Sequence, residues 1–193
     1  MLVAIILGSS VLVGCRNPFI DNIVSSENQD TPKPENKPDV KPENPSNTPD
    51  NSVEDDDIYV LGDMVMGDHS NIEKIRQLKG RIHLIRGNHD TDARMKKYAE
   101  LDNIVEICEG KFMRYKKYFL FLSHFPSITD NVEKETLRKA TLNLFGHTHQ
   151  ESHFYGDNPY MYNVGIDAHN GYLILLDDIL TEMKENFKLH FEN

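Results

Sequence analysis

The chain has 193 residues, 21 Lys and Arg against 31 Asp and Glu, a formal net charge of −10 and two cysteines. That length holds one domain with an appendage. The acid excess excludes a broad basic nucleic-acid-binding surface, and two cysteines exclude a disulfide framework. The charge is unevenly placed: residues 16–57 carry four basic and eleven acidic residues, so the rest of the chain is only mildly acidic.

In chain order, residues 1–15 come first, an apolar run from Leu2 to Leu7 followed by Gly8-Ser9-Ser10 and Val11-Leu12-Val13-Gly14-Cys15. This is too short to span a membrane but has the length of a signal-peptide core. Leu12-Val13-Gly14-Cys15 resembles a bacterial lipoprotein cleavage box, although no Lys or Arg precedes the apolar run. The expectation is a leader with lipid attachment at Cys15 and a membrane-anchored, extracytoplasmic location; a cytoplasmic location is the alternative. The other reading of the apolar run is a strand of the domain. Residues 16–57 are rich in Pro, Asn, Asp and Glu and bury too little apolar area to offset chain entropy. They read as a disordered, solvated linker, either a spacer or an inert low-complexity insertion.

The folded domain is expected over 58–193. A strand at 58–61 leads into Gly62-Asp63. Ser70-Asn71-Ile72-Glu73 matches a helix capping box, Ile72, Ile75 and Leu78 recur at helical spacing, and Gly80 stops the run. A strand at 82–85 precedes Gly87-Asn88-His89-Asp90, and Thr91 or Asp92 caps a helix whose Met95, Tyr98 and Leu101 face the core. Strands follow at 104–107, 112–115 and 118–122, then a helix at 131–139 and a strand at 142–145. Strands at 160–164 and 172–176 and a helix at 178–187 complete a mixed α and β pattern. Cys108 reads as a small buried residue near a strand end.

Four motifs sit just after apolar strands: Gly62-Asp63, Gly87-Asn88-His89-Asp90, Ser123-His124 and Gly146-His147-Thr148-His149. Side chains at the C-terminal ends of strands converge where open α/β sheets bind ligands. Carboxylate, amide and imidazole donors without thiolate suit Mn, Fe, Zn or Ni.

In this order the motifs resemble the calcineurin-like metallophosphoesterase family, over about residues 58–179 and including the Tyr162-Asn163-Val164-Gly165-Ile166-Asp167 stretch. The resemblance implies an α/β four-layer sandwich of two mixed β-sheets flanked by helices. It implies a metal-dependent phosphoesterase acting on a phosphodiester or small phosphomonoester. By that likeness Asp63 bridges two metals, Asn88, His124 and His147 complete the second, His149 reaches the first, and His89 is the general acid. Asp90 would orient the His89 ring or cap the following helix, and Asn163 and Asp167 would border the cleft in a turn. His83 reads as structural, while His69 and His169 fall in loops near Asp63 and Asp167.

The family's opening strand ends in Asp-x-His, and no Asp-x-His precedes Gly62. The expectation is therefore a domain lacking its first strand, one bound metal where the family has two, and, as the alternative function, an impaired domain serving as a tethered binding or scaffold protein.

Overall fold

A computed structural model describes residues 4–7, 56–67, 69–130 and 136–191. Cys15, residues 16–55 of the linker expected at 16–57 and most of the helix expected at 131–139 lie outside the described residues. At the linker's end Asp56 is buried and Asp57 already belongs to a strand, and of that helix a 3-10 turn at Leu137–Lys139 is described. Among the described residues, ten strands form two five-stranded sheets. The first, in the order β10-β1-β2-β3-β4, is built from Ile174–Leu175, Ala4–Leu7, Asp57–Leu61, Arg81–Ile85 and Ile104–Cys108. The second, in the order β5-β6-β7-β9-β8, is built from Lys111–Tyr115, Tyr118–Ser123, Thr141–Phe145, Asn158–Asn163 and Phe154–Tyr155. Both are mixed: β2-β3-β4 and β6-β7-β9 run parallel, and β5 and β8 join antiparallel.

Side chains alternate across a strand, so each strand serves two layers. On β2, Tyr59 and Leu61 enter a core shared with Leu120, Leu122, Leu142, Leu144 and Tyr162 of the second sheet. Ile58 and Val60 face the other way and pack with Ile72, Ile75, Tyr98 and Leu101. Helix α1, Asp92–Tyr98, supplies Tyr98 to this outer layer, and α2, Leu176–Phe191, lays Ile179, Leu180 and Met183 into the inter-sheet core. Full burial of a side chain of this size stabilises by about 1.5–3 kcal/mol. This is the expected α/β fold of two sheets and a few helices.

Four local readings change. The segment with Ile72 and Ile75 is a 3-10 helix, His69–Gln77, in which the three-residue spacing of its apolar residues matches one turn. The strand expected at 172–176 shortens to Ile174–Leu175 because α2 begins at Leu176. A two-residue strand, Phe154–Tyr155, carries no periodicity that the sequence could reveal.

The fourth concerns the missing first strand. Ala4–Leu7 is a strand in the first sheet, antiparallel to β2 with Ala4 opposite Val60 and Leu7 opposite Asp57, and parallel to β10. Within the apolar run Ala4–Leu7 is a strand, so the edge of β2 is paired. Its sequence, Ala4-Ile5-Ile6-Leu7, still brings no Asp-x-His to the site. Among the described residues no helix is long and apolar enough to cross a membrane.

Candidate metal centre

The loops after β2, β3, β6 and β7 meet at one end of the two sheets. The loop after β2 approaches the loop after β3 so closely that a Cβ on Gly62 would lie 2.7 Å from Gly87 Cα and run into His124 Nδ1. Gly62 also has φ +89°, a region that glycine occupies without penalty. A Cβ on Gly87 would collide with the Asp63 carboxylate. These two glycines let Asp63 and His124 share one buried space.

Asp63 and His124 are almost wholly buried. His124 Nδ1 lies 2.8 Å from the Leu61 carbonyl oxygen, which can only accept, so Nδ1 carries the proton and Nε2 presents its lone pair inward. Nε2 lies 2.8 Å from Asn88 Oδ1, 3.4 Å from Asp63 Oδ2 and 3.1 Å from His147 Nδ1. Asp63, His124 and His147 each place a ligand atom within 4.8 Å of the others. Two oxygens without hydrogens and a bare imidazole nitrogen repel one another, and a cation between them relieves the repulsion. The donor set of carboxylate, amide and two imidazoles fits a divalent transition metal. Burial, the largest cause, holds the His147 imidazole below its ordinary pKa of 6.5, which keeps the ring neutral and able to ligate.

His149 lies elsewhere. His147 and His149 both have left-handed backbone, φ +66° and +51°, so their rings leave the turn in different directions. His149 Nδ1 lies 3.0 Å from Asp167 Oδ2 in a solvent-exposed pair. Asp167 is therefore a partner of His149 as well as a turn residue. Its loop is tied to α2 through His153, whose Nδ1 lies 2.7 Å from Glu182 and whose Nε2 donates to the Ala168 carbonyl at 3.0 Å.

His89 is exposed, and it follows Asn88 in the loop after β3. Its N–H donates to Asp63 Oδ1 at 2.8 Å. Asp90 does neither thing expected of it. Its buried Oδ2 accepts the N–H of Asp63 at 2.8 Å and of Gly87 at 2.9 Å, and its Oδ1 accepts the Tyr98 hydroxyl at 3.2 Å. The helix is capped by Thr91, which accepts from Arg94 N. Side-chain acceptors facing neighbouring loop amides have no local sequence signature, so Asp90 could not be read as a loop tie.

His83 is structural, stacked on Tyr59 at 4.5 Å between Asp57 and Glu106. His169 donates to the Asn163 carbonyl and stacks on Tyr162, outside the Asp63 cluster. The His69 side chain lies outside the described residues. Cys108 ends β4, half-buried against the inter-sheet core. Sequence reasoning missed Arg94 and Phe125: Arg94 donates to the carbonyls of His89 and Gly67, and the Phe125 ring meets His124 and His147 edge-on at 4.8 and 4.6 Å. The Phe adjacent to His124 was a legible signal; the carbonyls that Arg94 bridges were not.

The family model described as the calcineurin-like phosphoesterase superfamily domain matches residues 44–169. Among solved structures, the protein of unknown function AQ665 from Aquifex aeolicus is similar at 23% identity and a TM-score of 0.43, over 58% of this chain and 68% of that one. The phosphoesterase YfcE from E. coli is similar at 17% identity and a TM-score of 0.36, over 55% of this chain and 61% of that one. No curated protein matches the sequence.

Proposed function

The chain belongs to the calcineurin-like phosphoesterase superfamily, and we propose that it is a metal-dependent hydrolase of a phosphodiester or small phosphomonoester. The observation that carries this reading is the meeting of Asp63 Oδ2, Asn88 Oδ1 and His147 on His124 Nε2, with His124 Nδ1 committed to Leu61.

Asp63, Asn88, His124 and His147 would hold one divalent ion, Mn, Fe, Zn or Ni. When bound, such an ion polarises phosphoryl oxygens and acidifies water. The chain's own residues do the rest. Leu61 O keeps the His124 tautomer, and Asp90 holds the Asp63 backbone in register with Gly87. Asn88, a neutral amide, limits the negative charge facing an anionic ester. A ring N–H of His89 hands its proton to the leaving ester oxygen, a task suited to imidazole near neutral pH.

One observation favours the second reading, an impaired domain serving as a binding or scaffold protein. His149 pairs with Asp167, and with no Asp-x-His before Gly62 the first metal of the family's pair has few ligands left. The deciding experiment pairs elemental analysis with turnover of bis(p-nitrophenyl) phosphate under added Mn. One bound metal with Mn-dependent turnover is expected. Bound metal without turnover selects the scaffold, and absence of metal rejects the hydrolase.

Lipid attachment at Cys15 with membrane anchoring is the less favoured reading of residues 1–15. The pairing of β1 supports its alternative, because processing before Cys15 would remove Ala4–Leu7 from the sheet.

A further inference from the structure

The proposed acid, His89, is exposed, so no core packing holds its ring in place; its reach is set by its backbone. That backbone is held at both ends. The His89 N–H donates to Asp63 Oδ1 at 2.8 Å. The His89 carbonyl accepts from Arg94 Nη1 at 2.7 Å, and Arg94 Nη2 donates to the Gly67 carbonyl at 2.6 Å. Arg94 stands in the first turn of α1, half-buried, and one planar guanidinium thereby spans the loop after β2 and the loop after β3. Both bonds are charge-assisted. The fork of a guanidinium can serve two fixed carbonyls at once; the compact ammonium of a lysine cannot reproduce that geometry.

The two loops are also joined at their inner ends, where Asp90 accepts the N–H of Asp63 and of Gly87. Arg94 closes the outer end. Between these ties lie Asn88, aimed at His124, and His89, whose backbone N–H holds Asp63.

We infer that Arg94 is a positioning residue for proton transfer: by fixing the His89 carbonyl to the Gly67 loop it keeps the His89 imidazole over the Asp63–His124–His147 cluster, within reach of the leaving oxygen. This rests on the phosphoesterase reading. A clamp that only stabilised the fold would lower the rate alike on every substrate. A clamp that places the acid matters where the leaving oxygen needs a proton, so its loss discriminates by leaving group.

The test uses the full chain with Mn, comparing wild type with Arg94→Ala and Arg94→Lys on an alkyl phosphodiester and its nitrophenyl counterpart. Small misplacement of a reacting group costs up to about a hundredfold, so Arg94→Ala should lower kcat on the alkyl ester by about 10–100-fold, with KM and the nitrophenyl rate changed less than about threefold. Arg94→Lys should fall between. Metal content should be unchanged, and amide hydrogen exchange should quicken in the segments 62–67 and 87–91. Equal loss on both esters, loss of metal, or unchanged exchange at 87–91 would overturn the inference. Should Arg94→Ala fail to fold, the ratio of the two ester rates in Arg94→Lys carries the same decision. A wild type that turns over neither ester overturns the phosphoesterase reading and this inference with it, whereas turnover with an unselective variant overturns this inference alone.

Discussion

The N–H of Asp63 donates to Oδ2 of Asp90 at 2.8 Å, joining the loops after two neighbouring parallel strands 27 residues apart in sequence. The same oxygen accepts Gly87 N–H, so one buried carboxylate holds both loops that carry the candidate ligands Asp63 and Asn88. Burial first, and the Asp63 charge besides, push the Asp90 carboxyl above its ordinary value.

Replacing Asp90 therefore tests the frame. Asp90→Ala leaves two buried amides and the Tyr98 hydroxyl without their acceptor, and each such group costs about 1–3 kcal/mol. A drop of several kcal/mol in denaturant unfolding is expected, together with weakened metal binding. Asp90→Asn keeps one acceptor oxygen and should lose clearly less of both. If the two variants were equally stable, the loop tie would not be what Asp90 supplies.

Metal content separates the clustered histidines from the outlying one. One divalent ion per chain is expected by calorimetry. His124→Ala should abolish it, since His124 Nε2 is the meeting point of the cluster. His149→Ala should leave it in place, because that ring is turned to Asp167. Two ions in the wild type, or loss of the single ion on His149→Ala, would show that His149 ligates.

A pH effect follows from the ladder across the first sheet. Glu106 is held below its ordinary value of 4.5, chiefly by Lys111 and next by His83, and Asp57 is held below 3.8, chiefly by Arg81. A carboxylate with a lowered folded pKa contributes stability above its unfolded value and loses it as pH falls through the folded one. Glu106→Gln should thus melt below the wild type at pH 7, and the gap should narrow as the pH falls below the ordinary value of 4.5 and the wild-type carboxylate takes up its proton. A gap that stays constant down to pH 3 would assign the difference to packing.

Strand β1 sets the last test. Deleting residues 1–15 should lower the melting temperature, because β2 and β10 lose the partner between them. Radiolabelled fatty acid supplied to a bacterial host should then be absent from the intact chain. Labelling that vanishes on Cys15→Ser, with no stability lost on deletion, would instead establish the leader and the lipid anchor.

Much of the fold was legible because its strands are short apolar runs ended by glycine or polar residues. Strands at 58–61, 82–85, 118–122 and 142–145 extend by one residue at most. The motifs behind them named Asp63, Asn88, His124 and His147, and these four do meet. The run from Leu2 to Leu7 was different, since an apolar segment of that length suits a leader or a strand equally. Its place depended on an open position between β2 and β10, which no local pattern records.

What the sequence determined by itself was the α/β alternation, the family and the residues that form the cluster, because apolar periodicity and motif spacing are properties of contiguous residues. Tertiary structure alone decided that His149 turns to Asp167, that Asp90 ties two loops and that Arg94 bridges the carbonyls of His89 and Gly67. Each of these depends on backbone groups or side chains brought together from 3 to 27 residues apart. A backbone carbonyl has the same chemistry in every residue, so only its position in space can select the partner that reaches it.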